Sequence, residues 1–487
     1  MFATRLALLF MLSVATMGAA PKESLPHLLD RMRSSGGPAW RAHLASTSLL
    51  RAGGETTRVT SDSQGVRFVT YECAASICDG EYFDGERLYS VDMNGTSLPQ
   101  SDLGDMFLRA ERTIASHTFL APEFADNGGR ISDDGITTIA RKPYRTLLVA
   151  DGASVPIEIF VDPTTALIRY MRDVTGETTL EYRDYRRIGD SLLLPFVVAR
   201  NGSVLERYEE RSIRAGAFSQ PRGLVPSFAG PPKAIATDPS RSIPLFSCRI
   251  GGIATTCLLD TGNSGLAISD ELRAQLHAPI VGAIQVRGIG EYAAEIVRAG
   301  PLDAGNATFP EANYVVLPDI HRFGYDAVLG ADILASTPVR IDAWAHRITF
   351  GAGDTVAASS VPLHFLNFVP IVAVQLGNLG AQLALDTGDE SSINLSYDFY
   401  NAHRNLFATT QQRIVNGVGG SSIELIGNIP EVRIGNISVH DQPIGTTTTL
   451  QSTAYGHLGA AFLGQFTILL DYAKSRVEFT KTSPGSR

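Results

Sequence analysis

The chain has 487 residues, a formal net charge of −9, 44% hydrophobic residues and 19% charged residues. This composition excludes a disordered polyelectrolyte, and the length exceeds one ordinary domain and suits two or three. No run of Lys or Arg marks a nucleic-acid or anionic-membrane surface, so neither is an expected partner.

Residues 1–20 read as a secretory signal peptide. Arg5 gives a positive start, residues 6–15 a short apolar stretch, and Gly18-Ala19-Ala20 a small-residue cleavage zone. This predicts export, to a periplasm or outside the cell; an uncleaved anchor is the rival reading. The stretch is too short for a spanning helix, and no later segment is apolar for long enough, so no stable membrane span is expected. Four cysteines fall in two close pairs, Cys73/Cys78 and Cys248/Cys257, which an exported chain can oxidise. The first pair flanks a four-residue loop and is placed to clip it. A Gly251-Gly252 turn would set Cys248 opposite Thr255, leaving Cys248 and Cys257 diagonal and their bridge undecided. Neither pair has the spacing of a zinc site, and no metal or other cofactor is expected.

Residues 21–222 read as an antiparallel β-rich N-terminal domain. It opens with a short helix over 25–32. Alternating runs follow at 156–161, 166–172, 178–185 and 192–200, with Asp162-Pro163-Thr164-Thr165 as one of the turns. Period-two alternation with regular turns predicts a curved sheet. Residues 223–242, rich in Pro, Gly, Ala and Ser, read as a linker.

From residue 243 the chain repeats itself. Leu258-Leu259-Asp260-Thr261-Gly262 and Leu383-Ala384-Leu385-Asp386-Thr387-Gly388 place two aspartates 126 residues apart, each ending an apolar strand. Each strand is the second arm of a hairpin that starts at Pro244 or Pro370 and turns at Gly251-Gly252 or Gly377-Asn378. Further on, Gly288-Ile289-Gly290 matches Gly417-Val418-Gly419. Val328-Leu329-Gly330-Ala331 matches His457-Leu458-Gly459-Ala460, and Ile341-Asp342 matches Leu470-Asp471. The second copy is three residues longer, and the extra length sits early, soon after Asp386. Two copies of so long a period argue against a solenoid and for two homologous lobes, 243–354 and 360–483, packed face to face.

Two carboxylates held close together cannot both ionise easily, so one keeps a proton while the other stays charged. The charged one can take a proton from water, and the neutral one can donate to a carbonyl under attack. Gly262 and Gly388 allow a sharp turn and offer backbone N–H groups to the carboxylates. Thr261 and Thr387 are placed to hydrogen-bond across the interface. The Gly-x-Gly stretches suit hairpin tips that close over a substrate. Other hydrolytic and nucleotide chemistry lacks support, with no His-Glu-x-x-His, no Gly-x-Ser-x-Gly and no phosphate-binding loop in the sequence.

On these residues, 243–482 resembles the aspartic peptidases, particularly retropepsin-like lobes duplicated in one chain. The expected fold class is therefore mainly β, with two such lobes in tandem behind a curved antiparallel domain. The resemblance implies Asp260 and Asp386 as the catalytic pair, with Thr261, Gly262, Thr387 and Gly388 supporting them. It implies 286–292 and 415–421 as flaps, with Gly288, Ile289, Gly290, Gly417, Val418 and Gly419 at the substrate. The implied activity is an exported, monomeric aspartic endopeptidase acting on peptide or protein.

Two departures stand out. The second Asp-Thr-Gly is followed by Asp389-Glu390, expected to face solvent, and His457 stands where an apolar residue is usual. The late glycines, Gly330 and Gly459, are expected to be structural, and Tyr292 is expected to pack in the first flap hairpin. The N-terminal sheet pattern also resembles periplasmic lipoprotein-carrier folds, without a motif that gives it a chemical role. Two rival functions follow: a non-catalytic peptide- or lipopeptide-binding protein on the same fold, and a half-site enzyme that dimerises through the first lobe.

Overall fold

The computed structural model describes residues 23–36, 46–52, 55–62, 67–74, 76–100, 113–114, 117–152, 156–173, 179–189, 192–215, 218–287, 291–353, 359–407, 411–417, 420–447 and 455–481. The signal-like stretch 1–20 and the tip residues Gly288, Ile289, Gly290, Val418 and Gly419 lie outside them. The architecture is mainly β, as expected: a curled N-terminal sheet followed by two β lobes.

Thirteen described strands form the N-terminal sheet as two meanders. The strands between Ser46 and Pro99 make one wing and those between Arg130 and Ala215 the other. The last strand, Ser203–Ala215, returns to pair with the first, Ser46–Ala52, and joins the wings. The helix is one turn longer than its apolar spacing predicts and covers Leu25–Ser35. Ser24 caps it by accepting from the His27 amide, and Pro26 sits in the first turn, where no amide donor is needed. Its apolar stripe buries Leu28 and Met32 with Phe119 and Leu120 against Leu147, Ile159, Val161 and Met171 of the sheet. The expected turn at Asp162 forms because its carboxylate accepts from the amides of Thr164 and Thr165, at 2.8 and 3.0 Å. Cys73 and Cys78, directly opposite across a hairpin, are bridged.

Residues 223–242 are tied down along the first lobe. Ser227–Phe228 pairs with Ala307–Phe309, and Ile235–Ala236 pairs with Arg347–Phe350. The second of these matches Ser359–Pro362 of the other lobe, which pairs with Arg476–Lys481. Both short strands are edges of one six-stranded sheet. At its centre Val339–Asp342 of the first lobe runs antiparallel to Phe466–Asp471 of the second, with Ile341 opposite Ile468. This shared sheet fixes the two lobes to each other, and one continuous apolar core runs through both.

Each lobe is built on the same plan. A hairpin, Leu245–Ile250 with Ile253–Leu259, or Val369–Leu376 with Leu379–Asp386, delivers the aspartate. Gly251 and Gly252 both have positive φ, which a two-residue turn of this hand requires. The turn sets Cys248 opposite Thr255, and the diagonal Cys248–Cys257 bridge does form, with Cα atoms 5.9 Å apart. The aspartate strand then runs parallel to a short strand, Ala327–Leu329 or Gly456–Gly459. That strand is antiparallel to the one that follows the Asp-Thr-Gly loop. The extra length of the second lobe lies partly in a turn of 3-10 helix over Arg404–Leu406, later than expected, between the helix Tyr397–Ala402 and the flap hairpin.

The N-terminal domain docks on the first lobe through a buried polar knot. Asn94 exchanges bonds with the Asn313 backbone, accepting from its amide at 2.8 Å and donating to its carbonyl at 3.0 Å. The Asn94 amide also donates to Asp332 at 2.8 Å, and the Thr96 hydroxyl donates to the other Asp332 oxygen. Asp92 is packed against Asp332, and burial together with the Asp332 charge holds its pKa well above the carboxylate range. Beside this knot, the bridged Cys73–Cys78 hairpin rests its tip on the first flap hairpin, with Ser76 donating to the Val281 carbonyl at 2.9 Å.

Candidate active site

The two Asp-Thr-Gly loops meet at the lobe interface. The aspartate strands lead through buried Leu259 and Leu385, and the next residue of each emerges as a half-buried aspartate. The Thr261 and Thr387 side chains, 1% and 4% exposed, cross over to the opposite lobe. The Thr261 hydroxyl donates to the Leu385 carbonyl and the Thr387 hydroxyl to the Leu259 carbonyl, both at 2.7 Å. Each hydroxyl oxygen in turn accepts from the other threonine's amide, at 3.1 and 2.9 Å. Four reciprocal bonds thus lock the loops in register, as the repeat predicts.

The lock brings the carboxylates together. The Gly262 amide donates to Asp260 at 2.8 Å, and the Gly388 amide donates to Asp386 at 3.0 Å. The absent side chains of these glycines are what the geometry needs. A Cβ on Gly262 would sit 2.6 Å from the Asp386 carboxyl carbon, and one on Gly388 would sit 2.5 Å from that of Asp260. Burial, then the Asp386 charge and a bond between the two carboxyls, pushes the Asp260 pKa well above its ordinary value. Burial also raises Asp386, against an opposing pull from His457. Two carboxyls held this close do not ionise independently, because loss of the first proton opposes loss of the second.

The late glycines sit beneath this loop pair. A Cβ on Gly330 would run into the carbonyls of Asn263 and Gly265, and one on Gly459 into that of Ser391. Their role is close packing, as expected. Tyr292 packs against the first-lobe cluster that contains Leu258 and Val328, matching its expected place in the flap hairpin. The hairpins themselves are present, Ile280–Arg287 with Glu291–Ala299 and Gln411–Gly417 with Gly420–Ile434. Of the named tip residues only Gly417 is described, and it pairs with Gly420.

The expectation that Asp389 faces solvent is wrong. Its side chain turns inward and forms an ion pair with His457 Nε2. Its amide donates to Asp386 at 3.1 Å. The turn after Asp386 forces this, because Asp389 also caps Ser391, accepting from its amide at 2.8 Å and its hydroxyl at 2.6 Å. Glu390 does face outward, paired with Arg241. Arg241 ties the lobes together there, since it also donates to the Phe323 carbonyl of the first lobe at 3.0 Å.

Sequence reasoning missed two tyrosines. Tyr325 is buried at the interface, its pKa pushed up to about 12 by burial and then by the Asp260 charge. Tyr472 lies fully buried on the other side, its hydroxyl also raised by burial and by Asp260. Neither carries a motif; each stands beside an aspartate at one end of an apolar strand, Tyr325 before Asp326 and Tyr472 after Asp471. Among the described residues no group of three or more His, Cys, Asp or Glu side chains is placed to hold a metal ion. Set beside known proteins, the chain matches no family model and no curated protein.

Proposed function

We propose that this chain is an exported aspartic endopeptidase with a single site built from both of its lobes. The observation that carries the reading is the interlocked pair of Asp-Thr-Gly loops, which sets two half-buried carboxyls face to face within one chain. A water between them loses a proton to the ionised carboxylate as its oxygen attacks the peptide carbonyl carbon. The neutral carboxyl gives its proton to the carbonyl oxygen, so the intermediate is a neutral diol and the pair still holds one proton. Collapse breaks the C–N bond as a proton passes to the leaving nitrogen, and the dyad returns to its starting state. The two hairpins over the cleft offer strand edges to an extended peptide. Two disulfides support an oxidising compartment.

The test is turnover of a mixed peptide library by the mature protein from mildly acidic to neutral pH, beside Asp260→Asn and Asp386→Asn. The reading expects cleavage that either substitution abolishes. Activity that survives Asp386→Asn and grows with protein concentration would point to the half-site enzyme. Tight peptide binding without turnover at any pH would point to the binding protein.

A further inference from the structure

The two lobes share one backbone plan, but their interiors differ at five matching positions beside the aspartates. In the first lobe Ala267 pairs with Val328 and also with Val315, which pairs with Ile296. In the second lobe the same register gives Asn394 paired with His457 and with Gly445, which pairs with Ile426. Val328 therefore corresponds to His457 and Ala267 to Asn394. Val315 corresponds to Gly445, and Ala294, two residues before Ile296, to Glu424. Asn263 in turn corresponds to Asp389. The first-lobe residues Ala267, Ala294 and Val328 are buried and apolar.

The second-lobe set is polar, and it forms two bonded groups on neighbouring strands. His457, 9% exposed, pairs with Asp389. Asn394, opposite it in the strand pair, donates to Glu424 at 3.2 Å. Glu424, 1% exposed, pairs with Arg413 at the surface. Gly445 makes the room, since a Cβ there would run into the Glu424 carboxyl. A buried charge is costly unless a partner meets it; Asp389 meets His457, and Arg413 with Asn394 meets Glu424. Asp389 joins His457 to the dyad, since its amide donates to Asp386 at 3.1 Å.

We propose that this second-lobe polar cluster makes Asp386 the ionised base of the pair and leaves the shared proton on Asp260. His457 acts as a positioning residue: its imidazolium, held by Asp389, lies on the Asp386 side of the dyad and has an apolar counterpart on the Asp260 side. The other groups facing Asp386 do not cancel this bias. Asp260 is its proton-sharing partner, Tyr325 and Tyr472 stay neutral, and Glu390 is neutralised by Arg241. Asp389 itself opposes the bias, and its charge is met by His457. The electrostatic balance runs the same way: burial works against the His457 charge, but the Asp389 bond and the charges of Asp386, Asp389 and Glu424 outweigh it and raise its pKa.

The kinetic consequence rests on the peptidase reading, whereas the protonation pattern does not. The test therefore begins with the His457 ring resonances followed through a pH titration in the wild type, Asp386→Asn and Asp260→Asn. An opposite charge a few ångströms away shifts a pKa by about 1–3 units. Asp386→Asn should therefore lower the His457 midpoint by about one unit or more, and Asp260→Asn should leave it nearly in place. An equal or larger drop in Asp260→Asn, or a His457 midpoint at the ordinary histidine value in the wild type, would overturn the assignment. In the active enzyme, His457→Val should move the acid limb of kcat/KM upward by about one unit with little change in KM, and adding Asp389→Asn should bring it part of the way back. An unmoved limb would also overturn the proposal. If the resonances behave as expected and no peptide is cut, the peptidase reading fails while the protonation assignment stands.

Discussion

Replacing Thr387 by Val removes one hydroxyl while keeping the shape of the side chain. Two bonds go with it: the donation to the Leu259 carbonyl at 2.7 Å and the acceptance from the Thr261 amide at 3.1 Å. Both partners are left in a region where the threonines are almost fully buried. An unpaired buried donor or acceptor costs about 1–3 kcal/mol, so the pair together should cost about 2–6 kcal/mol. Because Val fills the space, no cavity adds to this. Thr387→Ser keeps the oxygen and loses one methyl, which should cost only about 1 kcal/mol. Urea unfolding of the three proteins measures the difference, and peptide turnover should fall with the same ranking as the loops lose register. If Val proves no more damaging than Ser, the interlock contributes packing alone and the argument from reciprocal bonds fails.

Gly388→Ala should leave the fold intact and cut turnover on the order of a hundredfold, because the new methyl must displace the Asp260 carboxyl, and ångström-scale misplacement of a reacting group costs about that much; turnover within a factor of three or so of wild type would contradict the observed closeness. Docking of the N-terminal domain should weaken as pH rises. Asp92 has a raised pKa in the docked state, so its contribution is complete below the ordinary carboxyl pKa and is lost as pH climbs through the raised value. Asp92→Asn should remove this dependence, and parallel stability–pH curves for wild type and variant would show that the Asp92–Asp332 pair is not the cause.

Much of this protein was legible in the sequence because local rules governed it. Strand alternation, Gly-Gly turns and a capped amphipathic helix depend on neighbours a few residues away. Thus the strands near 156–200 fall within three residues of their expected limits. The duplicated Asp-Thr-Gly motif indicated two matched lobes because duplication preserves spacing, and spacing can be read without coordinates. The late glycines were recognisable for the same reason, since each stands at the same place in its copy.

Other features were decided only when distant segments met. Asp389 looked like a solvent-facing acid because nothing within a few residues of it could neutralise a buried charge; His457, 68 residues later, does so. The diagonal Cys248–Cys257 bridge depended on the depth and twist of one hairpin, which pairing register alone does not fix. The residues read as a linker were claimed as edge strands by partners about 80 to 112 residues away, since an unpaired sheet edge takes whatever extended backbone is at hand. By itself the sequence determined that two equivalent carboxylates would exist. Only the tertiary structure decided that their surroundings are unequal, because a charge inside a protein is set by every group that folding brings within a few ångströms of it.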